Sequence, residues 1–486
     1  MDLLQHLSSL SGGSGAFSGA EAEALQKALT AGYGTDSATF TGATAFRIQS
    51  LDHTMKATIQ ENKHFKLFNA MPKSTAGATV DEWTEQDLIG GFLGGSTNSE
   101  LGIINAAQGN YARRTAQVKF LMTRREVSLV STLGNNIVQA KAVEARNGAL
   151  QLLTDAEFLC FEGDSSVVPT EFDGIDVQIA GLNSSDHIID AGGASLSQLA
   201  QVNQAVQVIV GMGNYGTPTD LFVSNGVQAD FDNNMDADAR VLLNQLSGSG
   251  KISKGSPVEA IRTSWGPVRS VPDVFIRDEP MLVPFQLVNP QNGALAASLA
   301  SQQPASVTVS ANSSVSGSNW QTAHAGQFYY FVTGVTNAGQ STGVMSAAVT
   351  VAAGGSVTIT ITQSSSGLET GYAIYRSRKN GTNQTNDVRL MKRMPRNMSG
   401  STTTYTDMNF DFPGTTKARL LSMGPGADAI SWRQLYPMSR FELYPTQAAT
   451  LPWAQLLFGY LRLQKRRQHV LIKNIVTASQ LWKPFG

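Results

Sequence analysis

Gly211, Gly213 and Gly216 are spaced as a GxGxxG dinucleotide fingerprint. Such a loop must follow a strand and open a helix, so that a pyrophosphate meets unpaired helix N–H groups. Here the glycines close a helical pattern and precede a strand-like run, so they read as a helix stop and a turn. Gly248-Ser249-Gly250-Lys251 hints at a phosphate loop. Gln245 stands where the first glycine belongs, and Ile252 where Ser or Thr is needed, so a flexible loop is expected. His6, His53, His64, His187, His324 and His469 are scattered, none pairs with another at metal-ligand spacing, and HExxH is absent. No GxSxG elbow exists, and Cys160 sits on the apolar side of a helical pattern, as a small core residue does. The carboxylates offer no distinctive pair. No catalytic, cofactor-binding or metal-binding residue is therefore expected, and an enzyme is not.

One charged cluster stands out. Arg462, Lys465, Arg466, Arg467 and Lys473 form a basic run near the C-terminus. It could face phosphates through screened, sequence-independent attraction, or form a solvated face or ion pairs between subunits. Both readings stay open. Elsewhere charge is sparse and balanced: 36 Lys and Arg against 37 Asp and Glu, net −1, with 15% charged residues against about 25% in an average domain. That balance argues against a strongly basic nucleic-acid binder and an acidic tail. A single cysteine excludes an intrachain disulfide framework. Met1–His6 lacks a basic n-region, and no apolar run reaches membrane-span length. Folding in a reducing cytoplasm, with no membrane partner, is the expectation.

The elements that would position these residues suggest roughly three domains in 486 residues. Residues 1–72 read as an arm, with helical pieces at Ala20–Ala31 and Ala45–Lys63. Residues 73–124 read as a long β-ribbon. Its outgoing strand is Ala76–Thr84, its tip is the Gly-rich Gly90–Gly95, and its return carries Ala116, Val118, Phe120 and Met122 on one face. A two-stranded ribbon cannot bury its own faces and needs a partner surface. Trp83, Phe92 and Leu93 are the candidate contact residues. A helix is expected over 131–161 on the spacing of Leu152, Ala156 and Cys160, within a unit of residues 125–194. A mixed α/β unit at 195–290 opens with a helix over 195–213, where Ser195 and Gln198 form a capping box. It continues with a strand at Leu221–Ser224, a short helix at Val227–Asp236 and β structure over Val258–Ile276.

Composition then shifts. Residues 303–410 hold seven short strand candidates: Ser306–Ser310, Gln327–Thr333, Met345–Val351, Val357–Thr362, Gly371–Ser377, Val388–Met394 and Thr402–Thr406. Seven strands in about 100 residues is the pattern of an immunoglobulin-like sandwich, of fibronectin type III kind because no cysteine pair exists. Gly, Ala, Ser and Pro in Gln291–Gln302 and Phe412–Thr416 predict a hinge at each end. Residues 419–486 resume the pattern seen before 290, so 291–418 reads as an insertion.

This order of arm, ribbon, long helix, α/β region and late β return resembles the HK97-like major capsid proteins of tailed phages, and is similar to encapsulin shells. Segments such as His53–Pro72 and Glu171-Phe172-Asp173-Gly174 carry the likeness, which covers about 45–290 and 418–476. The resemblance implies an α+β fold with an N-terminal arm, an E-loop ribbon, a P-domain with its spine helix and an A-domain, here with an all-β insertion. It implies a virion protein assembled in the host cytoplasm into hexamers and pentamers that close an icosahedral shell around double-stranded DNA. The portal and decoration or scaffolding proteins would be partners, and DNA a weak, non-specific one. No cofactor is implied, and no removed scaffolding segment is expected. Arg462, Lys465, Arg466 and Arg467 would face the lumen or a subunit junction. A neighbouring subunit would supply the surface that the ribbon lacks. Two other classes remain: a phage tail or surface adhesin whose fibronectin-like domain binds a receptor or glycan, and an enzyme carrying such a module.

Overall fold

A computed structural model describes residues 64–104, 106–133, 140–182, 184–234, 258–279, 301–445 and 449–486. The expected helices at Ala20–Ala31 and Ala45–Lys63, and the Gly248–Lys251 loop, lie outside the described residues.

The ribbon pairs Val80–Leu88 antiparallel with Asn110–Gln117. The outgoing strand thus starts and ends later than the expected Ala76–Thr84. The return strand breaks at Val118 and continues as Lys119–Ser128 in another sheet. That sheet runs Lys73–Thr75, Ile430–Glu442, Thr450–Leu463, Lys119–Ser128, with only the first pair parallel. Pro437 is tolerated within Ile430–Glu442 because the register slips on both sides of Tyr436. Helix Ala140–Glu162 covers one face of the sheet. Its 23 residues span about 35 Å. Leu152, Ala156, Cys160 and Phe161 are buried in the main core with Trp432, Leu457 and Leu461 of the sheet. Leu129–Leu133 is also helical, and residues 134–139 of the expected helix over 131–161 lie outside the described residues.

A six-stranded mixed sheet runs Ile188–Asp190, Val470–Ile475, Thr416–Leu421, Asp220–Val223, Pro267–Pro272, Ala260–Arg262. Helices Ala200–Val210 and Asn225–Asn233 share its second core through Val202, Val206, Ile209, Val227 and Phe231. The helix expected from 195 starts later. A 3₁₀ turn over Leu196–Gln198 ends on Leu199 at φ +58°, and Ser195 Oγ accepts from Ser197 N–H rather than capping a continuous helix. The same hydroxyl donates to Asp230 at 2.7 Å, and that tertiary tie accompanies the break.

Residues 306–407 form a four-stranded sheet, Gly339–Met345, Tyr330–Thr336, Gly371–Ser377, Val388–Pro395, and a three-stranded sheet, Thr402–Asp407, Ser356–Thr362, Ser306–Asn312. Gly326–Phe328 and Val349–Val351 form a small third pair. Val332, Tyr372 and Ile374 from the first sheet meet Val357, Ile359 and Ile361 from the second in one buried cluster. This unit is not hinged at its described C-terminal end. Phe412 and Thr416 are buried, and Gly414 sits at φ +63°, where a Cβ would lie 2.8 Å from the Trp482 ring. Val167 and Val168, after the long helix, pack with Phe331, Val335, Ala373 and Tyr375. Arg393 donates to Glu171 at 2.9 and 3.0 Å, and Arg389 to Glu279 at 2.5 Å.

Candidate assembly surface

The site begins with alternation in Val80–Leu88, which turns Asp81, Trp83 and Glu85 inward and leaves Glu82, Thr84 and Gln86 exposed. Asp81 accepts from Arg433 Nε at 2.8 Å, from the Tyr460 hydroxyl at 2.5 Å and from Arg462 Nη1 at 3.3 Å. Burial raises its pKa. The hydrogen bonds from Arg433 and Tyr460, with the charges of Arg433 and Arg462, outweigh this and hold it below the usual carboxylate range. Glu85 accepts from Arg466 Nε at 3.1 Å and Nη2 at 2.9 Å, and from Arg114 at 3.1 Å. Between the two carboxylates Trp83 is half-buried, with the Arg462 guanidinium 5.5 Å from its ring. The ribbon base therefore has a partner surface within its own chain, contrary to the expectation that a neighbour must supply all of it.

This docking divides the basic run. Arg462 and Arg466 are buried against ribbon carboxylates. Lys465 is exposed, its ammonium donating to the Ala427 carbonyl at 2.5 Å, and Arg467 is half-buried. The four do not form one solvent-facing patch. Lys473 lies away from them, paired with Asp411 at 3.0 Å.

The ribbon tip is different. Gly90 lies at φ +89°, and a Cβ there would collide with the Gln108 carbonyl. Beyond it Phe92 and Leu93 are 78% and 77% exposed, and Leu101, Ile103 and Ile104 are more exposed still. So much exposed apolar surface on one loop is the pattern of a contact site. A second apolar surface lies on the four-stranded sheet, on the face away from the long helix. Phe120, Met122 and Phe441 are exposed there, and Phe120 meets the Phe458 ring edge-on at 4.9 Å. Neighbouring residues Thr123 and Arg125 point the other way and bond Gln151 of the helix. The stripe read as Ala116, Val118, Phe120 and Met122 is thus covered at its first half and open at its second.

The glycines at 211, 213 and 216 do close a helix: Gly216 N–H returns to the Ile209 carbonyl, and Asp220–Val223 follows. His187, His324 and His469 are buried, and no group of metal-ligating side chains occurs among the described residues. Among those residues, no helix is long and apolar enough to cross a membrane. Sequence reasoning missed Asp81 and Glu85. The acid-aromatic-acid alternation was a signal, but Arg433 and Arg466, which receive them, lie more than 350 positions away.

No family model matches the chain. The major capsid protein of Staphylococcus phage S25-3 is 25% identical over 465 residues, covering 93% of this chain and 95% of that protein. The major capsid protein of Staphylococcus phage K matches with the same identity and coverage. A relative in Enterococcus phage phiEF24C, also bearing a major capsid protein name, is 31% identical over 219 residues. That match spans 43% of this chain and about half of the relative, 46%. Among solved structures, the capsid of a native GTA particle aligns with TM-score 0.46 at 8% identity, over 90% of this chain and 99% of that one. The capsid of Myoviridae phage XM1 aligns with TM-score 0.42 at 9% identity, over 90% and 99%. The chain is similar along nearly its whole length to phage major capsid proteins, and that likeness favours a capsid role over a tail or surface adhesin.

Proposed function

We propose that this protein is a phage major capsid protein that self-assembles into the icosahedral shell around packaged double-stranded DNA. The observation that carries the reading is the ribbon: its base is pinned by charge to its own chain, while its tip presents uncovered Phe92, Leu93, Leu101, Ile103 and Ile104. An exposed apolar tip marks a contact surface, and a subunit repeated around a closed shell buries it on a neighbour.

In this reading the fold is HK97-like. The ribbon is the E-loop, Ala140–Glu162 the P-domain spine and the six-stranded sheet with its helices the A-domain. The inserted sheets are an immunoglobulin-like domain, supported by two antiparallel sheets sharing one core. Subunits would form hexamers and pentamers and work without catalysis. The portal and decoration or scaffolding proteins would be further partners. Contact with DNA would be weak and non-specific, resting on exposed groups such as Lys465 rather than on Arg462 or Arg466. Electron microscopy of the purified, assembled protein tests the proposal: closed icosahedral particles are expected, and a protein that stays monomeric or forms only fibres under all assembly conditions would refute it.

A further inference from the structure

Where the inserted sheets meet the core there is a cavity of about 420 Å³. Its walls bring together charges from both sides of the junction. Asp176 faces two cations, Lys417 at 2.8 Å and Arg419 at 2.7 and 2.8 Å. Asp411 likewise faces two, Lys473 at 3.0 Å and Lys392 at 3.6 Å. Arg277 with Glu162 and Arg393 with Glu171 are matched pairs. Asp164, also in the wall, turns to its own loop and accepts from the Ser166 N–H and hydroxyl. With Asp164 counted, Arg277, Lys392, Arg393, Lys417, Arg419 and Lys473 stand against five carboxylates, which leaves one positive charge over.

Two polar atoms of wall residues also lack a hydrogen-bond partner, with the Arg419 guanidinium 4.9 Å from the Phe161 ring. Arg419 is 1% exposed, and its Nη1 has no hydrogen-bond partner among the described residues; the same holds for Thr416 Oγ1. Buried donors left so are costly unless something accepts from them. Both carboxylates that face the cations stay ionised. Burial raises the Asp411 pKa, but Lys473 and Lys392 hold it below its usual range, and Arg419 and Lys417 overcome burial to hold Asp176 at about 2.

We infer that this cavity binds a phosphate group, free or carried on a small molecule, through Lys392, Lys417, Lys473 and Arg419. A phosphate offers several acceptor oxygens to three ammonium groups and a guanidinium, and its negative charge meets the positive excess. Because both the insertion and the core contribute cations, the bound phosphate would fasten one to the other. The inference does not depend on the capsid reading.

Calorimetric titration of the full chain with sodium phosphate, beside thermal melts in phosphate or chloride at matched ionic strength, tests it. Saturable binding and a higher Tm in phosphate are expected. Lys473→Gln should weaken binding about tenfold or more. Asp411→Asn, which removes a competing carboxylate, should tighten it, a gain that a merely structural role would not produce. Adenosine triphosphate binding tighter than inorganic phosphate would assign the site to a phosphate ester, and equal or weaker binding to the free ion. Identical melts in phosphate and chloride, or unchanged affinity in both variants, would overturn the inference.

Discussion

Arg466 clasps Glu85 from 381 positions away, through Nε at 3.1 Å and Nη2 at 2.9 Å, with both side chains buried. The pair fixes where the ribbon leaves the body. Removing one partner of a buried pair strands the other charge, at about 3–5 kcal/mol. Glu85→Ala should therefore lower unfolding free energy by roughly that amount and speed hydrogen exchange in Val80–Leu88. The exposed pair Arg113–Glu82, on the outer face of the same ribbon, is the control. Glu82→Ala should cost less than about 1 kcal/mol. Equal effects of the two substitutions in urea unfolding would mean that Glu85 does not anchor the ribbon.

The ribbon tip should matter to assembly and little to folding. Deleting Gly90–Gly95, or substituting Phe92→Asp with Leu93→Asp, removes side chains that touch almost nothing in their own chain. Circular dichroism should show an unchanged subunit with Tm within a degree or two, because exposed sites contribute within about 0.5 kcal/mol. Sedimentation and electron microscopy should show loss of shells. Normal particles from the deletion would remove the tip from the assembly mechanism.

How far the sequence reveals this architecture depends on the range of the forces involved. Gly371–Ser377 is legible to the residue, because it is bounded by turn signals and its neighbours supply six similar runs. Gly339–Met345 is not legible as a separate strand: GQSTGVM has little apolar alternation and forms only because Phe331–Thr336 templates it. The Ser195–Gln198 capping signal is present, yet the helix starts after Leu199, where a distant Asp230 holds the Ser195 hydroxyl. At the candidate site the exposed tip can be read from its glycines and apolar residues. The roles of Arg462 and Arg466 cannot, since a basic run looks the same whether water or Asp81 and Glu85 receives it.

Acid should weaken the subunit through His469. Its imidazole is fully buried; one ring nitrogen accepts from Ser422 N–H at 3.3 Å and the other faces the Ala429 carbonyl at 3.4 Å. That arrangement fits the neutral ring, and burial lowers the pKa from 6.5 to about 4. Between those values the unfolded chain binds more protons, so stability is full above pH 6.5 and falls as pH drops towards 4. From pH 7.5 to 5.0 the loss from this group is about 2 kcal/mol. His187 and His324, also shifted down by burial, add in the same direction. His469→Gln should remove the larger part of the slope in urea unfolding of unassembled protein. A slope unchanged by the substitution would exclude His469 as its source.

The chain's last residues bind the unit of residues 306–407 to the body, and this governs what excision will do. Trp482 Nε1 donates to the Asp387 carbonyl at 3.2 Å, and the Arg389 guanidinium stands 5.0 Å from its ring. Lys379 N–H donates to the Pro484 carbonyl at 2.8 Å, and Phe485 stacks on His324 at 3.9 Å. Val167 and Val168 add an apolar contact on the other flank. This unit also has an internal anchor: the buried Arg376 guanidinium donates to Asp407 at 2.6 Å and to Asn409 at 2.8 Å. It should thus hold its own sheets together while leaning on the core. Replacing 303–410 with a short Gly/Ser linker would uncover Val167, Val168, Trp482 and Phe485 together. The excised chain should melt lower and aggregate, and shells, where they form, should be less heat-stable. Trp482→Ala isolates the clamp: loss of an aromatic core side chain costs about 3–5 kcal/mol. Limited proteolysis of this variant should free an intact fragment containing 306–407, because its own core and the Arg376–Asp407 anchor remain. Equal heat stability of wild-type and excised shells would show that the insertion is ornament rather than brace.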